Sequence, residues 1–319
     1  MNRKALLLFA ATSVIWGSSF LFIRVAVAHL PPSAVVFGRT VLGAALLVPL
    51  AARRRAFRGV RQVIVPIAVV TFLDMAAPTF LTAWGEQHIS SSVAGILTAT
   101  DPLFTAVLAL WLLRSEAPGR KQLAGLIIGF TGVIALLGID FGGSAVELFA
   151  AGAVLLSALG YAGAALVYRR WLADVPAIGV TALMTAISSL AFLAPAAVNL
   201  PQQAPPASSI LALATLGIIN TGVAYWLFYL LIDQAGAATA SVITYVMPVV
   251  ALFLGVGLLG EQLTTGAIAG LLLIGLGAWL ATSRQSPSTI ATPHATQCPA
   301  GASATHRRPD SKLYRGHDG

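Results

Sequence analysis

Charge is the first scarcity in this sequence. Only 9% of its 319 residues are Asp, Glu, Lys or Arg, whereas a soluble globular domain carries about a quarter. That density cannot cover a water-facing surface, so a soluble fold is excluded. Cysteine is nearly absent as well: the single thiol, Cys298, rules out a disulfide framework and a thiolate metal cluster. No HExxH, Walker loop or dinucleotide fingerprint occurs, which leaves direct ATP use and dinucleotide chemistry without apparatus. The few histidines beyond residue 284 are too scattered to hold a metal. No cofactor and no metal site is expected.

Hydrophobic residues fill the space that charge leaves, at 57% of the chain. They fall into ten runs near the roughly 20 residues that a helix needs to cross a bilayer: 6–28, 33–51, 62–84, 91–113, 122–138, 148–168, 177–198, 209–232, 237–259 and 265–283. Membrane β-strands are about half as long and alternate in polarity. The expected fold class is therefore an all-α integral membrane protein with ten transmembrane helices, and the lipid bilayer is its first partner.

Orientation follows from the basic residues. With the N-terminus cytoplasmic, the inner segments hold Arg3, Lys4, Arg53, Arg54, Arg55, Arg58, Arg61, Arg114, Arg120, Lys121, Arg169, Arg170, Arg284 and four more in the tail. That is 17 of the 19 Lys and Arg residues, and the other two, Arg24 and Arg39, lie inside runs. Outer loops carry Glu86, Asp140, Glu147 and Glu261 instead. Both termini are thus expected in the cytoplasm, and the net charge of +8 reports topology. It is not a nucleic-acid footprint, because the basic residues form no face with interleaved aromatics. MNRK followed by an apolar stretch and Ala26-Val27-Ala28 imitates a signal peptide. The run is too long for one and contains Arg24, so it is expected to stay as the first span.

The chain repeats itself. Residues 95–133 resemble residues 241–278, with Pro102 against Pro248, Glu116 against Glu261, Gly125 against Gly270 and Gly132 against Gly277. Each half, 1–141 and 142–283, contains five runs, an odd number, so the second copy enters the membrane from the opposite side. Inverted repeats of this kind place a substrate site near the midplane, where the halves meet around a central cavity. Residues 284–319, rich in Ser, Thr, Pro and Ala, read as a disordered cytoplasmic tail.

Several stretches carry a family resemblance: WGSSF in the first run, PPSAVVFGRTVLGAALL entering the second, the proline-centred fourth with an acidic residue after it, and GLIIGFTGVIALL in the fifth. Together these resemble the EamA branch of the drug/metabolite transporter superfamily over residues 5–283. The resemblance implies a ten-helix permease of the inner membrane with a central cavity, many of whose members export amino acids or related metabolites. It does not identify the cargo.

Polar residues inside the spans are the candidate site. Asp74, Asp101 and Arg39 lie near the centres of their runs, and intramembrane charges usually face the interior and find a partner. One role is an ion pair in which Arg39 neutralises an aspartate, and the resemblance favours that role for Arg39. The other gives a carboxylate, above all Asp101, to a substrate ammonium group or to a coupling proton. Family members more often have an apolar residue before this proline, so Asp101 is a departure. Pro102 and Pro248 are expected to kink their helices beside the cavity. Trp16, Ser19, Thr98, Asn220, Tyr225 and Tyr245 supply hydrogen bonds and flat apolar surface for a small amphipathic substrate. Gly125, Gly129 and Gly132, and their counterparts from Gly270 to Gly277, have the spacing of close helix packing. Glu116 and Glu261 read as loop residues that cap the following span or form a salt bridge. A membrane enzyme has only Asp74 with Asp101 as a candidate pair, so a non-enzymatic secondary transporter is expected, with export favoured over uptake or passive facilitation. The chain acts as a monomer or a homodimer.

Overall fold

Hydrocarbon offers a backbone no hydrogen bonds, so each long apolar run must satisfy its own amides as a helix. The computed structural model of the chain describes residues 3–112, 119–140, 145–199, 203–236 and 242–282, together with 201 and 240. Among these residues every regular element is helical. Nine stretches are long and apolar enough to cross a membrane: α1 Arg3–Val27, α2 Pro32–Arg53, α3 Val60–Gly85, α4 Ser91–Trp111, α5 Arg120–Gly138, α6 Ala145–Leu172, α7 Ala177–Val198, α8 Ala207–Ala235 and α10 Thr265–Thr282. The run expected at 237–259 is helical as α9, Ile243–Leu259, and at 17 residues is one short of α10. Glu116 and the tail lie outside the described residues.

The helix boundaries follow local chemistry. Pro32 opens α2 at a position where its missing N–H costs nothing, and Pro176 and Pro206 precede the first turns of α7 and α8. Ser90 Oγ accepts Val93 N–H at 3.2 Å and caps α4. Thr264 Oγ1 accepts Ala267 N–H at 3.0 Å and caps α10. Large apolar side chains point outward, among them Phe72, Phe149, Leu190 and Val198, the last 84% exposed. On a soluble protein such a surface would aggregate, and here it is the face a bilayer covers.

Inside, the helices pack in a recurring set of pairs: α5 with α10, α4 with α9, α2 with α7, α3 with α6 and α1 with α8. The α5–α10 pair packs backbone against backbone. A Cβ on Gly125 would come within 2.7 Å of the Gly277 carbonyl oxygen, and one on Gly277 would meet the Gly129 backbone and the Gly125 carbonyl. The glycine rows do what their spacing predicts, bringing two backbones into contact.

Regular winding fails in a few interior places. α1 is interrupted at Ser18, between Arg3–Gly17 and Ser19–Val27. α4 breaks at Ala99 and Thr100 and resumes at Asp101, so Pro102 stands in the first turn of a new helical piece. α9, by contrast, is helical across Pro248. α3 and α8 each contain one π-turn inside the helix, at Thr71–Ala76 and Ile218–Val223, and α6 ends in a third, Tyr168–Leu172.

Candidate functional site

Two of these irregularities build the site. The π-turn of α3 holds Asp74 and the π-turn of α8 holds Asn220. A π-turn inserts one extra residue and is often found where function needs an awkward backbone. Part of the cause in α3 is legible: Pro78 has no N–H to offer the carbonyl of Asp74 four residues earlier. The α8 turn is stabilised by Thr221 Oγ1, which donates to the Leu216 carbonyl at 2.9 Å.

Asp74 is half-buried, and its Oδ2 accepts at 3.4 Å from the hydroxyl of Tyr225, two residues beyond the α8 π-turn. Arg39 of α2 acts on Asp74 electrostatically, while its Nε donates to Thr221 Oγ1 at 2.9 Å. Tyr161 of α6 lies within range of Asp74, Asp101 and Arg39. Asp101 is also half-buried, accepts from Thr105 Oγ1 at 3.2 Å and lies within range of Asp74. Its place in the first turn of a helical piece suits a carboxylate, since the helix N-terminus carries partial positive charge. Two acidic side chains from α3 and α4, a guanidinium from α2 and two tyrosines thus share one interior region.

An aromatic wall adjoins them. Tyr225 and Tyr229 stack at 6.2 Å, and Trp16 stands edge-on to Tyr225 at 5.4 Å and against Phe228 at 4.8 Å. Trp16 Nε1 donates to the Asn220 carbonyl at 3.1 Å. Asn220 is fully buried, and its Nδ2 reaches the Ile15 carbonyl, Ser18 Oγ at 3.1 Å and Ser19 Oγ at 3.0 Å. Its amide therefore ties α8 to the interruption in α1, and its Oδ1 has no partner among the described residues.

The remaining expected residues make other hydrogen bonds, although Tyr245 lies within range of Asp101. Thr98 is buried at the end of the first piece of α4 and donates to Ala94 O at 2.9 Å. Tyr245, near the start of α9, bonds Thr282 Oγ1 at 2.7 Å and donates to Ala278 O at 3.3 Å on α10. Glu261 caps a helix, but not the following one: it reaches back to the start of α4. Sequence reasoning did not single out Thr221 or the π-turns. A usable signal existed, because Asp74 and Asn220 are 146 residues apart, the same interval as the two prolines.

A multi-pass membrane bundle with ionisable groups at its centre and aromatics beside them has the architecture of a solute carrier. The chain belongs to the EamA-like transporter family, which matches it twice, over residues 3–138 and 148–283. It is 25% identical over 279 residues to an uncharacterized transporter of Archaeoglobus fulgidus, covering 87% of this chain and 98% of that one. It is 28% identical over 268 residues to the uncharacterized inner membrane transporter YedA of Escherichia coli K12, covering 82% of this chain and 86% of that one. It is also 28% identical over 289 residues to an S-adenosylmethionine/S-adenosylhomocysteine transporter of Chlamydia trachomatis, covering 85% of this chain and 87% of that one. One solved crystal structure superposes with a TM-score of 0.63 at 20% identity, over 88% of this chain and 97% of the other, and shares the fold.

Proposed function

We propose that the protein is a secondary transporter of the inner membrane that exports amino acids or related amino-bearing metabolites by alternating access between two inverted five-helix repeats, 1–141 and 142–283. The ten helices enclose a midplane site, both termini face the cytoplasm, and the chain is competent as a monomer. The observation that carries this reading is the pair of π-turns at equivalent places in the two halves, which bring Asp74 and Asn220 to the interior. The packing of α5 on α10, α4 on α9 and α2 on α7 agrees with it, since each helix there meets its own counterpart in the other half.

The site suits a zwitterion or a cation with a flat apolar part. Asp101 takes the ammonium group, Arg39 receives a carboxylate or holds Asp74, and Trp16 and Tyr225 provide a stacking surface. Asn220 Oδ1 supplies a buried acceptor, and Ser19, Thr98 and Tyr245 line the approaches. The Chlamydia relative, named for a solute with an amino-acid end and an adenine ring, points to the same chemistry. Counterflow into proteoliposomes, run with labelled amino acids and S-adenosylmethionine, tests the reading. Accumulation of an amino-bearing solute in preloaded vesicles supports it, and flux confined to anions or uncharged solutes would overturn it.

A further inference from the structure

One end of the bundle holds a second group of charges, gathered around a carboxylate that the midplane site does not use. Glu86 follows the last residue of α3, where its amide still donates to Thr82 O at 2.9 Å. A loop glutamate would normally turn to water, yet Glu86 is 0% exposed and neither carboxyl oxygen has a hydrogen-bond partner among the described residues. Three charged groups from three other parts of the chain act on it: Arg24 of α1, Glu261 between α9 and α10, and more weakly Arg39 of α2. His88, two residues on, packs its ring against Trp84 at 5.1 Å.

The neighbours are already committed. The Arg24 guanidinium donates to the backbone carbonyls of Glu86 and Ile89, clasping the turn between α3 and α4. Glu261 accepts Ser91 N–H at 2.7 Å, Ser91 Oγ at 2.8 Å, Ser92 N–H at 3.0 Å and the Ser92 hydroxyl. A Cβ on Gly255 would strike the Ser92 hydroxyl and the Glu261 carboxylate, so α9 presses directly on the start of α4. These contacts draw the first half against the second at this end, which the basic-residue pattern expects to face outside.

We propose that Glu86 is a proton-binding site of the transporter, holding a proton while the Glu261 clasp shuts this end of the bundle and releasing it to water when the clasp parts. The driving force is local. Burial pushes the Glu86 carboxyl well above its usual range, with Glu261 adding to the shift and Arg24 and Arg39 opposing it. The C-terminal end of α3 also disfavours a negative charge there. On opening, the carboxyl O–H bond breaks, the proton passes to water, and the electron pair stays on the carboxylate beside Arg24. The sign follows: the shut form binds the proton more tightly, so acid favours it, and it loses that advantage as pH rises through the shut form's pKa. A parting of this clasp would give the exporter a place to exchange a proton for its solute.

The link to opening rests on the alternating-access reading, but the test of proton binding does not. Infrared difference spectra of the lipid-reconstituted protein, recorded through a pH titration, read the carbonyl stretch of protonated carboxyl groups. Glu86→Gln is expected to remove one titrating component that Asp74→Asn and Asp101→Asn leave in place. Arg24→Gln, which keeps Glu86, is expected to move that component roughly 1–3 pH units upward, since an adjacent cation depresses a carboxyl by about that much. An unaltered spectrum in Glu86→Gln, or an unmoved titration in Arg24→Gln, would overturn the assignment. Either result leaves the midplane site and its flux assay untouched.

Discussion

Replacing Glu261 with alanine removes one carboxylate that accepts four hydrogen bonds at the start of α4, two from backbone amides and two from hydroxyls. Ser91 and Ser92 are buried, at 0% and 2% exposure, so water does not readily replace the lost acceptor. Hydrogen bonds to a charged group contribute about 1.5–3 kcal/mol each, and a stranded buried donor costs about 1–3 kcal/mol. The four bonds share one acceptor group and cannot be summed, and Ser90 still caps Val93 N–H, so the helix itself survives. A net loss of about 3 kcal/mol is expected, which at roughly 2–4 °C per kcal/mol lowers the unfolding midpoint by about 10 °C. Glu261→Gln keeps one accepting oxygen and should lose about half as much. Tryptophan fluorescence of the nanodisc-embedded protein during heating reads the midpoint. The sharper readout is coupling: Ser92→Ala should cost stability in the wild type and almost none beside Glu261→Ala. Equal costs in both backgrounds, or a midpoint within about 1 °C of wild type for Glu261→Ala, would refute the clasp.

Other expectations come from the packed interior. Gly277→Leu drives a side chain into the Gly129 backbone, which cannot move aside, and should cost on the order of 3 kcal/mol; Gly275→Ala, with open space around it, should leave the melting curve unchanged or slightly raised. Arg39→Gln leaves Asp74 without its cation and should cost on the order of 2 kcal/mol, with much of the loss recovered in Arg39→Gln/Asp74→Asn. Independent, additive losses in that pair, read by the same thermal scans, would show that the two residues do not act together.

What the sequence makes legible here is whatever depends on near neighbours in the chain. Each of the ten apolar runs is helical over most of its described residues, because hydrocarbon leaves it no other way to pair its amides. The glycine rows read correctly for the same reason: a bare backbone at regular spacing has one use in a membrane bundle. Glu261 does not read correctly. Its acceptor role lies 170 residues back along the chain, and spacing predicts only the helix that follows it. Glu86 is hidden by the same blindness, since an acidic residue in a loop looks solvated until Arg24 and Glu261 are seen packed around it. The two prolines, a matched pair in sequence, part company in space: Pro102 follows a break in α4, whereas α9 runs through Pro248 as helix. For the proposed site, Asp74, Arg39, Tyr225 and Asn220 are found in one region, yet of the π-turns that hold Asp74 and Asn220 only the one in α3 has a proline to announce it.

If the carboxylates of α3 and α4 handle the solute, removing their charge must weaken its transport. Counterflow of the amino-bearing solute that the wild type accumulates is repeated in vesicles carrying Asp101→Asn and Asp74→Asn, each reconstituted at equal, correctly folded density. Both substitutions keep the side chain's size and one accepting oxygen while removing the charge. Asp101→Asn is expected to lose about tenfold or more in apparent affinity, since one charge-assisted contact is worth roughly 1.5–3 kcal/mol. Unchanged uptake by both variants, with unchanged concentration dependence, would contradict it.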